Sequence, residues 1–273
     1  MTEAPTQPER FADLRIRTLS ALVFGALCLI CAIIGGYAAI LLGILLYAFL
    51  IWEYHAMATG ERELTSPPLL VLQAGGVISL AVIGSGALTA GIAAYLATVL
   101  AAGVMARQHF AFLAPGAVYV GFAVGALVYI RIHQDDGLLL IVWVICVVIA
   151  CDVGAYFAGR SIGGRKLCPS ISPGKTCSGG IGGLIGAVLF SLVFSGVLGW
   201  PLLSAALAAL LIGVASQLGD LGESWMKRRA GIKDSGVLMP GHGGFLDRLD
   251  GILGGTWAFL LLDAFKFGDH LTA

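Results

Sequence analysis

Long apolar blocks, broken by short polar or glycine-containing joints, fill most of the chain. A helix needs about 20 mostly apolar residues to cross a bilayer. That rule predicts nine spans, at 19–35, 37–55, 69–85, 87–105, 109–130, 137–158, 180–199, 202–218 and 251–267. Gly35-Gly36 alone separates the first two, and Gly84-Ser85-Gly86 the third and fourth, so seven to ten spans would satisfy the pattern. No internal repeat or low-complexity segment interrupts it. The expected fold is all-α, a polytopic helical membrane protein of about nine transmembrane helices. Residues 1–14 read as a polar tail, 15–136 as a transmembrane scaffold, and 137–273 as a transmembrane region carrying two polar loops, 159–179 and 219–250.

Composition supports lipid as the solvent. Hydrophobic residues make up 58% of the 273, charged residues 12%, and mean hydropathy is +0.94. Soluble domains carry about 25% charge, so this surface must be covered by the bilayer. Net charge is zero and informs less than its distribution. With the N-terminus cytoplasmic and nine spans, 14 of the 16 Lys and Arg fall on the cytoplasmic side, leaving Arg131 and Lys266 opposite. That bias fits the positive-inside arrangement. It predicts a multi-pass protein of the inner, cytoplasmic membrane with its N-terminus and both long loops cytoplasmic. The first apolar stretch is too long for a signal-peptide core and reads as a retained span. Cys28 and Cys31 have CxxC spacing but lie within a span and read as apolar packing residues.

Polar chemistry gathers in the C-terminal half. Ser216-Gln217 and Gly219-Asp220 follow the eighth span, putting Asp220 near a membrane helix end, where an ionised group is costly unless paired or bound to a cation. Ser224, Lys227, Arg228 and Lys233-Asp234 come next. Such a basic cluster suits either anionic lipid or a phosphate-bearing substrate. Pro240-Gly241-His242-Gly243-Gly244 then leads into Asp247-Arg248-Leu249-Asp250. Glycines permit close backbone approach to a ligand, and helix-start N–H groups favour anions. Asp247 and Asp250 share a helical face, and with Asp220 they offer hard oxygen ligands to Mg²⁺. His242 lacks the companions of a zinc site and reads as a turn or phosphate contact.

In the other loop, Ser172-Pro173-Gly174-Lys175-Thr176 imitates a phosphate-binding P-loop, but Pro169 stands where the first glycine belongs. Hydroxyls and Lys175 before a helix still suit a phosphate. Gly182 and Gly186 read as close helix packing. Asp152, about two turns before this loop, is costly enough inside a span to suggest function.

Together these residues resemble the phosphatidate cytidylyltransferases, also called CDP-diacylglycerol synthases. That family's signature runs S-x-x-K-R, K-D, P-G-H-G-G and D-R-x-D. The chain supplies Ser224, Lys227, Arg228, Lys233, Asp234, Pro240 to Gly244, Asp247, Arg248 and Asp250 in order. Asp152 with Ala155-Tyr156 and Gly159-Arg160, Ser172-Pro173 with Lys175-Thr176, Ser216-Gln217 with Gly219-Asp220, and Arg15-Ile16-Arg17 add to the match. It is strongest over 152–250. Cys177-Ser178-Gly179 stands where relatives often carry an aromatic-Glu-Gly run, and Gly251 where serine is frequent.

The resemblance implies that phosphatidate attacks the α-phosphorus of CTP, with Asp220 and Asp247 holding Mg²⁺ and a second cation left open. It implies a catalytic group of Asp220, Lys233, Asp234, His242, Asp247, Arg248 and Asp250. Substrate would be bound by Asp152, Ser172, Lys175, Thr176, Ser216, Gln217, Ser224, Lys227, Arg228, Gly243 and Gly244. Expected partners are CTP, phosphatidate and the bilayer, with no nucleic acid; a homodimer is open. The alternatives are a CTP-dependent polyprenol-type lipid kinase and a transporter. Polar groups clustered at one face, not along a midplane route, disfavour the transporter. A CDP-alcohol phosphotransferase is disfavoured because Asp250-Gly251 is not followed by that class's D-G-x-x-A-R run.

Overall fold

The computed structural model describes residues 22–236 and 243–264. Every predicted apolar segment falls on a helix there. Among the described residues, seven helices are long and apolar enough to cross a membrane. These are α2 (Gly36–Thr59), α3 (Pro67–Gly84), α4 (Leu88–Met105), α5 (Phe110–His133), α6 (Gly137–Ser161), α7 (Cys177–Leu198) and α8 (Leu202–Arg229). The helix α1 (Leu22–Ile34) is shorter. The last, α9 (Leu246–Ala264), carries Asp247, Arg248, Asp250 and Asp263. The expected all-α polytopic membrane fold is thus seen, with seven of the about nine expected spans meeting the length and composition requirement among the described residues and α1 and α9 as two further helices.

The Gly35-Gly36 joint is a reversal. Both glycines have positive φ, +70° and +48°, and Phe24 of α1 returns to the end of the bundle where Phe49 of α2 lies, both rings touching Phe245. Arg131, at the end of α5, donates to the carbonyls of Ala32 and Ile33, satisfying acceptors that the end of α1 leaves open.

Two expected loops are shorter than the polarity suggested. The 219–250 segment is helical as far as Arg229. Asp220, Glu223 and Lys227 stand at i, i+3 and i+7, so their charges occupy one helical face without breaking the backbone ladder. The 159–179 segment contains an antiparallel hairpin, β1 (Lys166–Cys168) with β2 (Ser172–Thr176), in which Lys166 faces Thr176 and Cys168 faces Ser172.

Small residues set the two helix crossings that frame the polar region. A Cβ on Gly154 of α6 would lie 2.5 Å from the Gly182 carbonyl oxygen of α7, and one on Gly186 would lie 2.6 Å from that of Ala150. Gly182 and Gly186 thus act as the close-packing residues the sequence suggested. At the second crossing, a Cβ on Gly219 of α8 would lie 2.6 Å from the Asp250 carbonyl oxygen of α9 and 2.9 Å from the Tyr119 hydroxyl. Gly251 sits against Ser216, whose hydroxyl a Cβ there would approach to 3.0 Å. This tightness gives Gly251 a packing reason. Trp143, fully buried, anchors the core among α6 to α9.

Candidate active site

One end of the bundle collects the polar side chains. The C-terminal ends of α2 and α8, the hairpin and the start of α9 meet there, as their mutual hydrogen bonds and ion pairs require, and the C-terminal end of α6 lines the adjoining cavity. A cavity of about 430 Å³ opens between α6, α7, α8 and the hairpin, within the size range of small-ligand sites. Asp152, Tyr156, Arg160, Lys175, Thr176, Gln217 and Asp220 are among its lining residues.

The cavity joins the two polar segments that the sequence kept apart. Lys175 of β2 forms an ion pair with Asp220 of α8. Asp152 and Asp250 are electrostatic neighbours of Asp220 and of each other. Carboxylates from α6 and α8 therefore flank the Lys175 ammonium, and Asp250 of α9 lies between Asp220 and Lys227. Gln217 donates to the Gly180 carbonyl at 2.9 Å, tying α8 to α7. Arg160 is held on Tyr156, donating to its hydroxyl at 2.8 Å with the guanidinium over the ring. Neither Tyr156 nor Arg160 was singled out as a binding residue from sequence, although both stand in the stretch around Asp152 that carried the resemblance.

A second, drier network runs up the α8–α9 seam. Lys227 lies 2.6 Å from both Glu223 and Asp247. The Asp247 Oδ2 accepts from the backbone N–H of Ser235 and of Gly244, each at 2.9 Å. Its Oδ1 accepts from the Lys227 ammonium at 2.6 Å. Glu223 is 1% exposed and pairs with the Lys227 ammonium. Glu53 of α2, also 1% exposed, accepts from the N–H groups of Phe245 and Leu246 at 3.0 and 2.8 Å and from the Ser235 hydroxyl at 3.1 Å. Sequence reasoning missed Glu53 and Glu223. An acidic residue inside an apolar helix, the signal that marked Asp152, would have found both.

The structure redistributes several expected roles. The backbone N–H groups of residues 244, 245 and 246 are filled by Asp247 and Glu53, so the start of α9 has no free N–H cradle for a phosphate there. Gly243 (φ +86°) and Gly244 are needed because side chains there would meet Asp247, Ser235 and Glu53. Thr176 caps α7, its hydroxyl accepting from the Gly179 N–H at 3.1 Å. Ser216 is buried in the α8–α9 seam, away from the cavity lining. Ser172 lies at the start of β2 and Ser224 half-buried on α8. Lys233, Asp234 and Arg248 are exposed around Asp247, and Arg228 is exposed with its Nε 3.5 Å from the Ile171 carbonyl. His242, Pro240 and Gly241 lie outside the described residues, as do Arg15 to Arg17.

Asp220 and Asp247, expected to share one cation, have different immediate partners. Asp220 and Lys227 stand about 10 Å apart along α8, and Asp247 meets the Lys227 end of that stretch. Among the described residues no three His, Cys, Asp or Glu side chains converge as a ready-made metal cage. Mg²⁺ does not require one, because it takes one or two carboxylates and completes its shell with water and substrate phosphates. The charge balance fits such a cation: Asp152, Asp220, Asp250, Glu223 and Asp247 outnumber Lys175, Lys227 and Arg160.

Comparison with known proteins identifies the family. A profile described as the cytidylyltransferase family matches residues 15–265. A protein of Brucella suis biovar 1 (strain 1330) named phosphatidate cytidylyltransferase is 34% identical over 268 residues, covering 93% of this chain and 94% of its own. Proteins of the same name from Bacillus subtilis (strain 168) and Haemophilus influenzae are 40% and 46% identical over 57% and 42% of this chain, and over 59% and 42% of their own lengths. The chain belongs to the cytidylyltransferase family.

Proposed function

We propose that the chain transfers a cytidylyl group from CTP to phosphatidate, releasing pyrophosphate and leaving CDP-diacylglycerol in the membrane. The near-full-length match to a protein named phosphatidate cytidylyltransferase carries this reading, and the carboxylate-rich cavity at one end of an apolar bundle suits it. The phosphatidate phosphate oxygen forms a bond to the α-phosphorus of CTP. The bond from that phosphorus to the β-phosphate oxygen breaks, and pyrophosphate leaves with the electron pair. The nucleophile is already anionic, so no strong general base is needed, and catalysis rests on positioning and charge compensation.

The chain's own side chains divide that work. Lys175 and Arg160 line the cavity and hold triphosphate oxygens. Lys227, Arg228, Lys233 and Arg248 compensate charge at the mouth of the α8–α9 seam. Asp220, and Asp247 through its Oδ1, would hold Mg²⁺, with Asp250 and Asp152 adding negative charge nearby. When bound, Mg²⁺ would neutralise the triphosphate and the departing pyrophosphate. The positive-inside partition supports an inner-membrane location, with the N-terminus and this end of the bundle cytoplasmic.

The test uses purified protein with phosphatidate, Mg²⁺ and CTP labelled on the α-phosphate. Label is expected in the lipid phase, with pyrophosphate in the water. Label remaining in water as CDP, with the γ-phosphate on a lipid alcohol, would instead support the lipid-kinase alternative.

A further inference from the structure

We propose that Glu53, from the half of the bundle that otherwise reads as scaffold, is a positioning residue that sets the start of α9 and thereby the direction of Asp247. Its effect on turnover rests on the cytidylyl-transfer reading; its effect on backbone order does not.

The chain enters α9 between two carboxylates. Glu53 takes the N–H of Phe245 on Oε1, and the N–H of Leu246 and the Ser235 hydroxyl on Oε2. Asp247 takes the N–H groups of Ser235 and Gly244 on Oδ2. Residues 235 and 244 to 246 are thus gripped from both sides, and Ser235 is shared by the two acids. A buried donor without an acceptor is costly, so each bond constrains the backbone. The Phe245 ring adds a second point of attachment to α2, stacking on Phe49 with centroids 5.0 Å apart. Phe49 is one helical turn before Glu53, so ring and N–H dock on the same stripe of α2. Side chains at Gly236 or Gly244 would run into the Glu53 carboxyl, which fits a chain path shaped around that group.

The chemistry calls for a carboxylate. Three donors divide between its two oxygens, and an acid at a helix start also complements the helix dipole. Glutamine has one acceptor oxygen; its amide nitrogen would face an N–H and lose at least one bond. Asp247 would then keep its own two backbone bonds, but on a segment anchored less firmly to α2. Its Oδ1, the oxygen turned to Lys227, would lose its fixed direction. A misplacement of about 1 Å can cost about a hundredfold in rate.

The experiment compares full-length wild type, Glu53→Gln and Ser235→Ala in detergent by hydrogen exchange and steady-state kinetics. In Glu53→Gln, peptides covering 243–250 are expected to exchange at least about tenfold faster while α3 to α5 exchange as in wild type. Its kcat should fall at least about tenfold with KM for CTP within about threefold, as loss of positioning predicts. Ser235→Ala, which removes one of the three bonds, should show a smaller change of the same kind. Wild-type exchange and kcat in Glu53→Gln would overturn the proposal. So would faster exchange spread evenly over the bundle, which would mark Glu53 as a general stabiliser. If Glu53→Gln does not fold, an unchanged Ser235→Ala in both readouts overturns it. An inactive wild type would sink the assigned reaction instead, because the exchange comparison needs no turnover.

Discussion

Asp247→Asn is expected to lower CTP turnover at least about a hundredfold in protein that still elutes as a folded species. Asp247 is placed by four other groups: two backbone N–H groups on Oδ2, Lys227 on Oδ1, and Glu53 through the segment both acids hold. Asparagine must keep its oxygen on the N–H groups and so turns its amide nitrogen towards Lys227. That side of the residue then repels the ammonium and offers nothing to a cation. Shape is retained and Lys227 still has Glu223, so folding should survive. Lipid-phase labelling of purified variant and wild type checks this. A variant retaining more than a tenth of wild-type turnover would remove Asp247 from the reaction.

Lys227→Ala should be the most destabilising single change in the site. Glu223 is almost fully buried and Asp247 nearly so, and both depend on one ammonium. Removing one partner of a buried ion pair costs about 3–5 kcal/mol, because a charge is left without compensation. Here two like charges would remain together. The cost should therefore be relieved in part by Glu223→Gln in the same chain, which removes one charge and adds no volume. Thermal unfolding in detergent distinguishes the outcomes. The double variant should melt above Lys227→Ala and below wild type, and neither should regain turnover. A Lys227→Ala protein as stable as wild type would show that the seam is wetter and more relaxed than its geometry implies.

Hydropathy made the helices legible, because a membrane helix must be both apolar and continuous to satisfy its backbone. Their polar extensions were less visible. Asp220, Glu223 and Lys227 end the apolar stretch of α8 without ending the helix, since hydropathy reports the solvent and not the hydrogen-bond ladder. The hairpin at 166–176 escaped because Lys166-Leu167-Cys168 and Ser172-Pro173-Gly174-Lys175-Thr176 lack the alternation of a half-buried strand. The motifs from Asp152 to Asp250 put the polar groups at one place, yet Asp247's partner, Lys227, could not be told from the other basic residues in its run. Glu53 stood out as an acid within an apolar helix, but what it holds did not. Its partners are backbone N–H groups almost two hundred residues away, and no side-chain pattern records them. The glycines of the Gly243-Gly244 pair were read as making room for a ligand, whereas they make room for Glu53, Ser235 and Asp247.

The electrostatic core of the account is the surplus of carboxylates over ammoniums where a triphosphate must sit. Titrating wild-type protein with CTP by calorimetry, first with a chelator and then with Mg²⁺, addresses it directly. Binding should be undetectable in chelator and saturable once Mg²⁺ is present, because Asp152, Asp220 and Asp250 repel a bare triphosphate. Equal affinity under both conditions would contradict the account.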